Sequence, residues 1–216
     1  MQPMLPLWDE PATSHRDRVV ADARDRVAWL KARARGVTAT DVAKLSSPAA
    51  VRAVALEKLL GSRFHGNAYT EHGRVREPAI ARWARGVYGM EHSTQLFHAD
   101  GRREHLATPD GLRERRGALE LCEIKTTAHR WRSIPRSYLR QVWWQQYVLG
   151  ADRTLVVWEH HEEFVPVAIE PECRWVDRDD VEIARLRDLA DQLLVAPVSL
   201  RSELEAAKAE LETLRA

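Results

Sequence analysis

The residues best equipped for chemistry lie in one short stretch: Thr108-Pro109-Asp110-Gly111-Leu112, then Leu119-Glu120-Leu121-Cys122-Glu123-Ile124-Lys125. A Pro-Asp turn feeds a hairpin, and the apolar run after it ends in Glu-x-Lys. Side chains of a strand alternate between its faces, so Leu119, Leu121, Glu123 and Lys125 share one side. Glu123 and Lys125 then project together, and the hairpin brings Asp110 beside them. Two carboxylates can hold a hard divalent cation through oxygen, and a neighbouring ammonium can orient an anionic nucleophile. This is the minimal equipment for metal-dependent phosphodiester cleavage.

The elements that must position these groups follow from patterning. His15 to Arg35 carries Val19, Val20, Ala23, Val27 and Leu30 at helical spacing and stops before Gly36, which predicts an amphipathic helix. Thr38 or Thr40 caps a short helix over Asp41–Leu45, and a further helix covers Ala49–Leu60. Glu71–Val87 reads as helical, with Pro78 in a first turn or at a kink. Asp100-Gly101 marks a hairpin within His92–Leu106. Ala118–Thr126 is a strand, and a helix runs from Ser137 to Leu149. Leu155–Trp158 and Phe164–Ile169 are two more strands, and Asp179–Leu194 is a helix that stops near Pro197. Helices, strands, helix, strands, helix predict an α/β fold with a mixed central sheet flanked by helices. Residues 1–14 form an arm, 15–196 the catalytic domain, and 197–216 a C-terminal helical extension. Leu200, Leu204, Ala207, Leu211 and Leu214 make a short heptad seam there.

Composition narrows the class. The chain has 216 residues, is 44% hydrophobic and 30% charged, and holds two cysteines, Cys122 and Cys173. That is enough chain for one sizeable core, and too few cysteines for a disulfide framework or a four-cysteine zinc or iron–sulfur site. No apolar stretch approaches a membrane span and no secretory pattern opens the chain, so a cytoplasmic, reducing location is expected. The histidines lack His-x-x-x-His spacing, and no Gly-Lys-Ser/Thr phosphate loop occurs. ATP-driven unwinding is therefore not expected of this chain.

The formal net charge of +1 carries no global signature of nucleic-acid binding. Its distribution does. No acidic residue falls between Glu123 and Asp152, whereas Lys125, Arg130, Arg132, Arg136 and Arg140 do, interleaved with His129, Trp131, Tyr138, Trp143 and Trp144. Such a strip attracts a phosphate backbone and offers ring faces to bases, or it is a solvated helix face with its aromatics in the core. Arginine dominates the cations, yet lysine follows Glu123, and a compact ammonium approaches a water molecule more closely than a guanidinium fork does.

These blocks together resemble the phage lambda exonuclease / YqaJ-type recombinase branch of the PD-(D/E)XK nuclease superfamily. Besides Asp110, Glu123 and Lys125, Trp29-Leu30-Lys31-Ala32-Arg33 with Val37-Thr38-Ala39-Thr40-Asp41 resembles that branch's N-terminal block. Gly73-Arg74-Val75-Arg76-Glu77-Pro78 is similar to its "G…EP" helix, and Tyr138-Leu139-Arg140-Gln141 to its "YxxQ" helix. The resemblance implies a restriction-endonuclease-like α/β core. In it Asp110, Glu123 and the Ile124 backbone carbonyl ligate the metal, and Glu77 completes the acidic site, through a water molecule if not directly; Glu71 is the fallback. Lys125 positions the attacking water, Gln141 lies near the scissile phosphate, and Arg33 and Thr40 grip a terminal 5′-phosphate, with Arg35 a close competitor for Arg33. The implied activity is Mg2+-dependent 5′-to-3′ digestion of double-stranded DNA, with Mn2+ a substitute and two ions per site. It leaves 3′ tails for recombination in a phage-infected or prophage-bearing bacterial host. Implied partners are DNA ends, a single-strand-annealing protein and, as in some members, two further copies in a homotrimer. The alternatives are a RecB- or Cas4-like nuclease, a restriction-type endonuclease, and a non-catalytic DNA-binding module on a nuclease scaffold.

Overall fold

The computed structural model describes residues 14–61 and 66–215, with side chains described as far as Pro197 and at Leu200 and Ser202. After a 3-10 turn at His15–Arg18 the chain forms β1 (Val19–Asp22), α1 (Arg26–Ala34), β2 (Val37–Thr38), α2 (Ala39–Lys44), α3 (Pro48–Leu60) and α4 (Ala68–Tyr88). Strands β3 (Glu91–His92), β4 (Gln95–Ala99), β5 (Arg102–Ala107), β6 (Gly111–Arg115) and β7 (Ala118–Thr127) come next. Helix α5 (Arg136–Leu149), strands β8 (Arg153–Glu162), β9 (Val165–Pro166) and β10 (Glu172–Asp177), and helix α6 (Asp180–Arg215) complete the order.

Two mixed sheets result, one ordered β1-β4-β5-β2 and the other β10-β8-β7-β6-β3, with β9 paired to β8. In the second, β7 is central, antiparallel to β6 and parallel to β8. A parallel pair needs a crossover, and α5 provides it. The alternation of β7 divides the core. Leu119 and Leu121 pack with Val142, Trp144 and Val148 of α5 and with Leu186 of α6. Cys122 and Ile124 face the other way, against Ile80 and Ala84 of α4. The mixed sheet flanked by helices is as the sequence predicts.

Three elements differ from expectation, each for a physical reason. His15–Arg35 is not one helix. Arg18 is buried and donates to the carbonyls of Val148 (2.5 Å) and Leu149 (3.1 Å), satisfying the open end of α5. Val19–Asp22 then pairs with β4, and α1 starts only after Asp25, whose carboxylate accepts from the Ala28 N–H at 3.0 Å. The expected strand Phe164–Ile169 is only Val165–Pro166. Glu163 and Phe164 take positive φ in a tight turn, and the strand that pairs along β8 is Glu172–Asp177. Finally, α6 runs through Pro197 rather than stopping there. Proline removes one intrahelical bond, a local cost that a long helix packed on a core can carry. Leu200 is buried; the other seam residues and the N-terminal arm before Ser14 lie outside the described side chains and residues.

Gly36, between α1 and β2, shows how tightly the N-terminal block meets the first sheet. A Cβ there would sit 2.3 Å from the Glu104 carbonyl oxygen and 2.8 Å from Leu106 Cδ1. Backbone cannot yield as a side-chain tip can, so Gly36→Ala is expected to lower stability by about 1–3 kcal/mol in urea unfolding. Gly86→Ala in α4, where a Cβ meets nothing within 4 Å, should leave stability equal or raise it by up to about 1 kcal/mol.

Candidate active site

β6 begins only at Gly111, opposite Cys122, so β7 beyond Cys122 has no strand on that side. Asp110 fills the gap. Its N–H donates to the Cys122 carbonyl at 3.1 Å, and its carboxylate accepts from the Ile124 N–H at 2.6 Å. A strand residue directs its N–H and C=O to the same side. The Ile124 carbonyl therefore faces the Asp110 side, where β6 no longer competes for it.

Glu123 and Lys125 project from the opposite face of β7 to Ile124, beneath α5. Glu123 is 1% exposed, and three donors meet its carboxylate. Lys125 Nζ and Gln141 Nε2 (2.5 Å) donate to Oε1, and Gln145 Nε2 donates to Oε2 at 2.6 Å. Gln141 and Gln145 stand one turn apart on the same face of α5. Gln145 was not among the expected site residues. The signal was present, a second amide four residues after Gln141, but it reads only once α5 is known to lie over β7. Lys125 Nζ also lies 5.1 Å from the centre of the Tyr138 ring, which in turn packs on Trp131 and, through it, on Trp158.

Burial and the negative charges of Glu123 and Glu77 push the Asp110 carboxyl well above its ordinary 3.8, and Lys125 and the Ile124 N–H offset this only in part. Burial alone would depress the Lys125 ammonium, but Glu123 and Asp110 outweigh it and hold its pKa above the ordinary lysine value. Glu77 acts on Asp110 from α4, and its carboxylate sits 3.7 Å from His92 Nε2. The fallback Glu71 points to solvent beside Arg74. Two features fix α4 here. Arg76 forms a two-pronged bond with buried Glu159 of β8 at 2.8 and 2.6 Å, and a Cβ on Gly73 would touch Thr126 Oγ1 of β7 at 3.4 Å.

Among the described residues, no group of three or more His, Cys, Asp or Glu side chains is placed to hold a metal ion. The donor set present is two carboxylates and a backbone carbonyl. That set fits a small hard cation, because Mg2+ is commonly held by one or two carboxylates and keeps several of its waters. A cation would also relieve the repulsion that raises the Asp110 pKa.

The two residues expected to grip a phosphate also meet. Arg33 Nη2 donates to Thr40 Oγ1 at 3.4 Å, with the guanidinium 4.3 Å from the Trp29 ring centre. Burial lowers the Arg33 pKa, as does Arg26, while Asp41 opposes them. Arg26 lies over the same indole at 4.9 Å, a second cation that sequence reasoning passed over, whereas Arg35 is exposed. Thr38, not Thr40, caps α2, exchanging bonds with Asp41 in a capping box, which leaves the exposed Thr40 hydroxyl for Arg33. The bridge between the two clusters is Arg140, one residue before Gln141, which grips the Ala43 carbonyl of α2 at 2.7 and 3.0 Å. The basic strip is thereby thinned. Trp143 and Trp144 are core, Arg140 is engaged, and Arg136 pairs with Glu182, leaving Arg130 and Arg132 exposed.

Because the Asp110 carboxyl resists ionisation in the fold, its charge opposes folding once pH rises above the ordinary carboxylate value, and the penalty persists above the raised one. In chelator, Asp110→Asn should therefore melt higher than the parent protein at pH 8. The gap should narrow as pH falls toward 4, where both carry an uncharged group. Thermal melts across that range check the sign.

No curated protein matches the sequence. Among solved structures, the alkaline exonuclease LHK-Exo from Laribacter hongkongensis is 24% identical, with a TM-score of 0.64 over 86% of this chain and 98% of its own. The same protein in complex with dAMP gives a TM-score of 0.62 at 23% identity. A phage related exonuclease from Haemophilus somnus 129PT gives 0.62 at 14% identity, over 78% of this chain and 96% of its own. These likenesses show a shared fold. Residues 28–152, which include both Trp29 and Gln145, match the YqaJ-like viral recombinase domain, and the chain belongs to that family.

Proposed function

We propose that this protein is a divalent-metal-dependent exonuclease that digests double-stranded DNA from 5′ ends, leaving 3′ single strands for phage-type homologous recombination. The observation that carries the reading is Asp110 bonded to the β7 backbone beside Glu123 and Lys125, joined through α5 and α2 to the Arg33–Thr40 pair. Membership of the viral recombinase family and the exonuclease names of the structural relatives support it. The Laribacter protein is seen in complex with dAMP, a nucleotide, which is in keeping with this reading.

In this reading Asp110, Glu123 and the Ile124 carbonyl hold the cation, and Glu77 acts from α4 through a water molecule. A bound Mg2+ or Mn2+, singly or as a pair, supplies Lewis acidity and a water acidic enough to attack near neutral pH. The chain's own groups do the rest. Lys125, as an ammonium, donates toward the attacking water and stabilises charge growing on the phosphate oxygens. Gln141 keeps Glu123 aligned. The Arg33 fork and the Thr40 hydroxyl, at the first turn of α2, bind the terminal 5′-phosphate. The same reading places the protein in the bacterial cytoplasm during phage growth, working with a single-strand-annealing protein and, as a ring, with two further copies of itself. The described helices include none long and apolar enough to cross a membrane.

Linear duplex with 5′-phosphate ends should be consumed in Mg2+ and spared in EDTA, more slowly with 5′-hydroxyl ends, and circular duplex should survive. Cleaved circles would favour a restriction-type endonuclease; intact DNA under every metal tried would favour a non-catalytic DNA-binding module. Lys125→Ala should lower cleavage by about 10²-fold or more with duplex binding retained in gel shift. Arg33→Ala should erase most of the 5′-phosphate preference, and an unchanged preference would move the grip elsewhere.

A further inference from the structure

Gln145 bonds the same carboxylate as the expected Gln141 but has a different position and surroundings. Its side chain is completely buried, so it cannot be a surface amide or reach DNA from the outside. Its Nε2 donates to Glu123 Oε2 at 2.6 Å and lies 3.4 Å from the Thr108 carbonyl. Thr108 opens the Thr108-Pro109-Asp110 turn. One amide therefore touches both the strand that carries Glu123 and the segment that delivers Asp110.

An ionised carboxylate offers about four lone-pair sites, two per oxygen. On Glu123, Lys125 and Gln141 occupy both sites of Oε1, and Gln145 occupies one of Oε2. The site left for a cation is the second lone pair of Oε2, and the Gln145 bond fixes where it points. Among the described residues, Gln145 Oε1 is buried with no partner, as are the Thr108 hydroxyl and Gln146 Oε1. An apolar side chain at 145 would remove one unpaired oxygen but leave the buried Glu123 Oε2 without its donor. Rotating the amide would bring Gln145 Oε1 against the Glu123 carboxylate, so the donor stays where it is and the acceptor stays unsatisfied.

We infer that Gln145 is a positioning residue that aims the free lone pair of Glu123 at the catalytic cation and so sets cation affinity. The inference rests on the nuclease reading above and deepens it. Gln146 is its natural comparison: adjacent on α5 and equally buried, it donates to Thr154 Oγ1 at 3.0 Å and the Val176 carbonyl at 2.9 Å, away from the carboxylates.

The test compares the parent protein with Gln145→Met, Gln145→Asn and Gln146→Met. Asparagine keeps an amide but is one methylene too short to reach Glu123, which guards against a variant that merely fails to fold. Mn2+ binding is read by loss of the free-ion electron paramagnetic resonance signal, and cleavage of linear duplex is followed while Mg2+ is varied. Both Gln145 variants should bind Mn2+ about 10–100-fold more weakly. They should show lower kcat at fixed Mg2+, recover part of it at high Mg2+, and keep KM for DNA within about twofold. Gln146→Met should lower the melting temperature yet keep the parent's Mn2+ affinity. Parent-like Mn2+ affinity in both Gln145 variants, with the parent active, overturns the positioning role alone. A parent protein that neither binds Mn2+ nor cuts DNA overturns the nuclease reading, and this inference with it.

Discussion

Burying two carboxylates side by side is electrostatically unfavourable, and the surroundings of β7 are organised around that constraint. Asp110 is held by the backbone of a strand that has lost its neighbour. Glu123 is held by an ammonium and two amides. Neither set of donors neutralises both charges. Lys125 contributes one positive charge to a group of two acids, with Glu77 adding to the deficit from α4. The fold thus crowds three acids around one ammonium, and it needs rigid supports to do so. The Arg76–Glu159 pair, the close approach of Gly73 to Thr126, and the seating of α5 on α2 through Arg140 are those supports.

The parts legible in the sequence were those governed by short-range rules. Strand alternation placed Glu123 and Lys125 on one face with Leu119 and Leu121, and the two core clusters divide along that alternation. Turn chemistry located the Asp100-Gly101 hairpin, and helical periodicity located α3, α4 and α5 within a few residues. The juxtaposition of Arg33 and Thr40 came from resemblance to a family block, since seven residues of spacing across a strand predict no contact by themselves.

What was not legible depends on partners far along the chain. Val19–Asp22 has helical spacing, but Arg18 is drawn to the end of α5, 130 residues away, and the segment that follows pairs with β4. The strand at Glu172–Asp177 is polar on one face because it lies at the sheet edge, so it lacks the apolar run that marked Leu155–Trp158. Pro197 signals a stop that burial of Leu200 overrides. Gln145 reads as an ordinary polar residue until the helix is docked.

Helix α5 is addressed on nearly every side. Arg140 reaches α2, Gln141 and Gln145 reach Glu123, Trp144 Nε1 donates to the Leu106 carbonyl at 3.0 Å, and Gln146 reaches β8 and β10. Each residue of an α-helix turns about 100° from the last. Gain or loss of a single codon within these fourteen residues would therefore misdirect every one of those side chains at once. A change of length within α5 is thus far more disruptive than a substitution on it, and the loops at either end are where this fold can absorb one.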